Sequence, residues 1–181
     1  MKKVAVFGNT GGGKSTLSKR LSQITGLPLH VLDKMQYQSG GTEVPQEEFK
    51  RAHQQILDAD RWIVDGFGCM ETLWQRLDAA DSLVYLDLPL YVHFWWVTKR
   101  FITGYFKPPE GWPQNSPILR SSLTSYRVLW LCHKKLTPRY REYIKQAQSK
   151  KSVYHLRSTK QISQFFESIE NEIKFKNSAT A

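Results

Sequence analysis

Residues Gly8-Asn9-Thr10-Gly11-Gly12-Gly13-Lys14-Ser15 have the spacing G-x4-G-K-S. Glycines at these positions let the backbone turn tightly, so that successive N–H groups converge on one point and form a nest for an anion. A lysine next to the nest reaches the outer oxygens of a phosphate chain, and a serine hydroxyl suits a hard divalent cation. The string follows a short apolar run, Lys2 to Phe7, and precedes a stretch in which Leu17 and Leu21 lie four apart. That is a strand–loop–helix context, in which the helix N-terminus adds its own attraction for anions. Gly8, Asn9, Thr10, Gly11, Gly12, Gly13, Lys14, Ser15 and Thr16 are therefore the expected nucleotide contacts, with Lys14 neutralising charge on a transferring phosphoryl group.

Three carboxylates stand where they could join this chemistry. Asp65 closes the apolar run Trp62-Ile63-Val64 and, with Ser15, is the expected Mg²⁺ holder. Asp33 closes a second apolar run and could orient or deprotonate an acceptor hydroxyl. Asp87, just before Pro89, reads as structural. Arg100 and Arg120 flank a Pro- and Gly-bearing stretch and are the candidate clamps for a developing phosphoryl charge. Arg76 is a further candidate.

The elements that must position these groups follow from periodicity and turn residues. Strands are expected at Lys2 to Phe7, Leu29 to Leu32, Arg61 to Val64, Ser82 to Leu88 and Ser152 to Leu156. Helices are expected at Gly13 to Gln23, Pro45 to Asp58, Glu71 to Ala80, Tyr91 to Ile102, Leu119 to Leu136, Arg139 to Ser149 and Thr159 to Lys174. Short apolar strands alternating with helices predict an α/β fold with a five-stranded parallel sheet and helices on both faces. Ligands of such sheets bind beyond the carboxyl ends of the strands, where the glycine loop, Asp33, Asp65 and Asp87 all fall. One domain over residues 1–176 is expected, with a lid around 103–120 and a frayed tail at 177–181.

The chain has 181 residues and a net charge of +10. The charge is concentrated: residues 89–161 hold 14 Lys and Arg against 2 Asp and Glu, whereas the segments on either side are each near neutral. The same segment holds 13 aromatic residues. Two functional readings stay open for it, a phosphate-clamping lid and a surface for weak nucleic-acid binding. Trp95, Trp96, Phe101 and Trp130 read as core or interface, and Lys134, Lys135, Lys150 and Lys151 as a solvated face. No apolar run reaches the ~20 residues needed to span a bilayer, and the N-terminus lacks a signal-peptide pattern. Cys69 and Cys132 show no paired spacing and read as free thiols of a cytoplasmic protein. No histidine has metal-ligand spacing with a cysteine.

The runs Gly8 to Ser15, Leu32-Asp33-Lys34, Trp62-Ile63-Val64-Asp65-Gly66, Thr72-Leu73…Arg76-Leu77…Ala80-Asp81 and Leu86-Asp87-Leu88-Pro89 resemble the adenylate-kinase-related proteins of the DNA topology modulation (FlaR-type) family. The resemblance covers about residues 1–175. It implies a three-layer P-loop fold like that of nucleoside monophosphate kinases, with strand order 2-3-1-4-5, and it implies ATP binding. Two features of adenylate kinases are missing. Their D-G-F-P-R is here Asp65-Gly66-Phe67-Gly68-Cys69, and their T-G-D-x-x-R after the second strand is here Leu32-Asp33-Lys34-Met35-Gln36. The two arginines that seat an acceptor phosphate are thus absent from their usual places. Where the related family has Trp four residues after the aspartate, this chain has Tyr37. Asp33 is more similar to the acidic residue that meets an acceptor hydroxyl in kinases of the shikimate kinase type.

The expected activity is therefore phosphoryl transfer from ATP, with Mg²⁺, to a small molecule: a nucleoside, a nucleotide or a hydroxyl metabolite. The alternative is a nucleic-acid-associated P-loop ATPase. A switch protein is a third class, but no N-K-x-D guanine motif is present. A monomer or homodimer is expected.

Overall fold

Five short runs pair side by side, and the central three, rich in Val, Leu and Ile, are buried on both faces. In the computed structural model they are β1 (Lys3–Gly8), β2 (Leu29–Val31), β3 (Trp62–Asp65), β4 (Ser82–Leu86) and β5 (Ser152–Leu156). All pairings are parallel, in the order β2-β3-β1-β4-β5. The structure describes residues 1–36, 42–106 and 118–178, without the side chains of 100, 101, 103–106, 118–125, 176 and 177. The lid expected at 103–120 therefore lies largely outside the described residues, and so do the side chains of Arg100 and Arg120.

The helices are α1 (Lys14–Thr25), α2 (Leu32–Met35), α3 (Gln46–Asp58), α4 (Met70–Ala79), α5 (Leu90–Phe106), α6 (Ile118–Lys135), α7 (Thr137–Ala147) and α8 (Thr159–Ser178). Successive strand residues point to opposite faces, so one sheet splits two cores. Val4 and Val6 of β1 face Leu17 and Leu21 of α1 and Phe165, Phe166 and Ile169 of α8. Ala5 and Phe7 face Phe49 of α3, Leu73 and Leu77 of α4, and Tyr140 and Ile144 of α7. The result is the three-layer P-loop α/β fold. Among the described residues no helix is long and apolar enough to cross a membrane.

Three expectations change. The second strand stops at Val31, and Asp33 sits in the first turn of the short helix α2 instead of closing the strand. Trp95 and Trp130 are 63% and 54% exposed, which removes the core half of the core-or-interface expectation and leaves the interface half untested. Lys151 is not a solvated cation: its Nζ donates to the carbonyls of Leu77, Asp78 and Ala80. It thereby satisfies the orphan acceptors at the C-terminus of α4, where a positive charge also complements the helix dipole. Cys69 and Cys132 are both free thiols.

His53 of α3 is wholly buried beside the Phe49 ring, and neither of its ring nitrogens has a hydrogen-bond partner. Burial, aided by the Arg76 charge, pulls its pKa down to about 4. The folded state thus holds His53 neutral where the unfolded chain would bind a proton. This contribution to stability is fully present above about pH 6.5 and is lost as the pH falls toward 4, by on the order of 3 kcal/mol. Urea denaturation from pH 7.5 to 4 is expected to show that loss in the wild type and a shallower acid limb in His53→Leu. Parallel acid limbs in the two proteins would contradict the assignment.

Candidate functional site

The loop between β1 and α1 is set by contacts that leave no room for side chains. Gly8 has φ +142°, and a Cβ there would fall 2.4 Å from the Leu86 carbonyl oxygen on the neighbouring β4. Gly13 is the N-cap of α1 with φ +74°, a left-handed conformation that other residues rarely adopt. Between them the loop is tied inward. Asn9, only 6% exposed, donates from Nδ2 to the Leu129 carbonyl of α6 and accepts the Thr10 N–H on Oδ1. Lys14 Nζ donates to the Asn9 carbonyl at 2.9 Å. The lysine is thus folded back over its own loop, which places an ammonium where an anion would enter. Ser15 and Thr16 are exposed at the start of α1.

Asp65 ends β3, the strand next to β1. It is fully buried, and neither carboxylate oxygen has a hydrogen-bond partner. Charged acceptors buried in this way are normally hydrogen-bonded or coordinate a cation. Asp65 and the Ser15 hydroxyl are hard oxygen donors, of the kind that would suit Mg²⁺. Among the described residues no cluster of three or more His, Cys, Asp or Glu forms a self-sufficient metal cage.

Asp33 is exposed and accepts the Phe67 N–H on Oδ1 at 2.9 Å. It reaches across to the turn that follows β3, so the ends of β2 and β3 are linked. Arg76 locks the same turn from below. Its guanidinium, 1% exposed, donates to the carbonyls of Phe67 and Gly66. Burial lowers its pKa to about 10, and Asp65 and Asp33 are among the charges that oppose the shift. Arg76 therefore supports the turn and its two carboxylates and does not point at a ligand. Cys69 caps α4, with Thr72 Oγ1 accepting the Cys69 N–H.

Asp87 stands apart. Arg141 of α7 grips it with two hydrogen bonds, at 2.8 and 3.0 Å, and His155 of β5 meets it at 2.8 Å. Burial pushes its carboxyl up, but the hydrogen bonds from Arg141 and His155 outweigh that and hold it below the ordinary range. Asp87 is thus held within the fold by Arg141 and His155. It also borders a cavity of about 490 Å3 at the ends of β4 and β5, whose rim carries Arg141, Lys145 and Arg157.

The structure brings together the loop, Asp65 and Asp33 at the ends of three adjacent strands. One feature escaped the sequence: α5 crosses the glycine loop. His93, Trp96 and Val97 stand so close that Cβ atoms on Gly12, Gly13 and Gly11 would fall 2.7, 2.8 and 2.5 Å from them. Their spacing of three and four is the only signal the sequence offers, and it says that they share a face without saying what that face meets.

A family model described as isopentenyl transferase matches residues 1–81, which hold the loop, Asp33 and Asp65 but less than half of the chain. No curated protein matches this chain. Among solved structures, a sugar kinase from Janibacter sp. HTCC2649 is similar at 19% identity, with 96% of this chain and 92% of that one covered and a TM-score of 0.47. The chain is a P-loop protein, and the family match covers the part of it that holds the loop.

Arg76, within the segment that the family model matches, gives a direct test of how the site is held. Arg76→Ala strips two buried hydrogen bonds and the counter-charge of Asp65, and is expected to cost about 3–5 kcal/mol. Urea denaturation at pH 7 measures it; a loss below about 1 kcal/mol would show that the turn stands without the guanidinium.

Proposed function

We propose that the chain is an ATP- and Mg²⁺-dependent phosphotransferase acting on a small molecule. The observation that carries the reading is the juxtaposition of a phosphate nest, Lys14 included, with the buried and unpartnered carboxylate of Asp65 at the next strand end. In this reading the backbone N–H groups from Gly8 to Thr16 hold the phosphates. Lys14 exchanges the Asn9 carbonyl for the β- and γ-phosphate oxygens, and Ser15 and Asp65 hold Mg²⁺. The metal's chemistry is charge neutralisation on the transferring group. Asp33 positions the acceptor with the oxygen that Phe67 does not occupy. The clamp roles of Arg100 and Arg120 and the lid at 103–120 rest on the sequence alone.

The acceptor end favours a hydroxyl compound over a nucleoside monophosphate. The usual phosphate-seating arginines are absent, and Arg76 is spent on the Gly66 and Phe67 carbonyls. In this reading the chain departs from adenylate kinase and keeps the residues on which its resemblance to FlaR-type proteins rests. The family match to isopentenyl transferase supports a second reading, in which the same loop binds the diphosphate of a prenyl donor. A nucleic-acid role is less supported, because Arg141 and Lys151 of the basic segment are engaged within the fold.

An assay that follows ADP and diphosphate together separates the readings. With Mg²⁺-ATP and a panel of nucleosides, nucleoside monophosphates, sugars and small hydroxy acids, at least one hydroxyl acceptor is expected to raise ADP formation well above background. Asp65→Asn is expected to reduce that rate at least about 100-fold. Diphosphate release from a prenyl diphosphate, with no acceptor-stimulated ADP, would replace the kinase reading by the second one.

A further inference from the structure

His93 is 2% exposed and lies against the phosphate loop. Its Nδ1 is 3.0 Å from the Thr10 carbonyl oxygen, and its Cε1 would lie 2.7 Å from a Cβ on Gly12. The Leu88 backbone, just after β4, also faces the ring and favours its charged form. The charged and titratable groups that face it are Lys14 from the loop and His133 from α6.

We propose that His93 is a positioning residue for the phosphate loop and takes up a proton when a phosphate-bearing ligand occupies that loop. The inference rests on the phosphate-binding reading above and deepens it. In the ligand-free protein burial disfavours the imidazolium, and Lys14 and His133 add to that, so the ring's pKa lies below its ordinary value even though the Thr10 and Leu88 backbone groups favour the charged form. Phosphate groups held at Lys14 reverse the sign of the nearest charge. An imidazolium is then favoured, because it keeps the Thr10 carbonyl bonded while facing negative charge. A proton is gained from solvent and no covalent bond changes. Affinity rises as the pH falls through the window between the ring's ligand-free and ligand-bound pKa values, and levels off below the lower one.

The probe is ADP with Mg²⁺, titrated calorimetrically at pH 6, 7 and 8 in buffers of different ionisation enthalpy. Comparison with His93→Asn, which keeps a donor near Thr10 but cannot titrate, cancels the protons of ADP itself. The wild type is expected to take up more protons than the variant, by up to one per ADP. Its affinity is expected to gain relative to the variant by roughly tenfold for each unit that the ring's pKa rises. Equal proton counts with ADP bound would overturn the His93 proposal and leave the phosphate reading standing. Absence of ADP binding by the wild type would overturn both. Should His93→Asn fail to fold, the His93 ring resonances of the wild type decide: their titration midpoint must move up on adding ADP, and an unmoved midpoint refutes the proposal.

Discussion

The buried guanidinium of Arg76 is the interaction on which the turn after β3, with Asp65 and Asp33 beside it, depends. It sits in the α3/α4/α7 layer, where an isolated charge would be costly, and it is retained because it answers several demands at once. It satisfies the carbonyls of Gly66 and Phe67, and it offsets the negative charges of Asp65 and Asp33. Its charge also helps to keep His53 neutral. With the guanidinium nearby, the Asp65 carboxylate stands buried at the end of β3 without a hydrogen-bond partner.

The glycine loop is held differently, by close approach. Gly8 lies against the Leu86 carbonyl, and Gly11, Gly12 and Gly13 lie against α5. Asn9 ties the loop to α6 through the Leu129 carbonyl. The loop is thus pinned between the sheet and the α5/α6 pair before any ligand arrives. Preorganisation of this kind is what makes aligned N–H dipoles effective, since they need not be reoriented when charge develops. Lys14 Nζ donates to the Asn9 carbonyl within that pinned loop.

The five-stranded parallel sheet follows from local signals, short apolar runs alternating with helices, whereas its order β2-β3-β1-β4-β5 was implied only by the family resemblance, since no local pattern encodes it. Asp33 was placed at the right end of the sheet but in the wrong element, since Leu32-Asp33-Lys34-Met35 forms a helical turn that an apolar run does not announce. Segment 89–161 was the least legible. Its cations read alike in sequence, yet Lys151 caps α4, Arg141 grips Asp87, and Lys134 and Lys135 are exposed. The partners of Lys151 and Arg141 lie 71 and 54 residues away, and His93 is 83 residues from Thr10. Such pairings are set by the packing of a parallel sheet, and no local pattern encodes them.

Calorimetric titration of ATP into the wild type and Lys14→Ala, each with and without Mg²⁺, tests the central claim most directly. The account predicts saturable binding that Mg²⁺ strengthens in the wild type and that is lost in Lys14→Ala. No binding by the wild type, or equal binding by the variant, would contradict it.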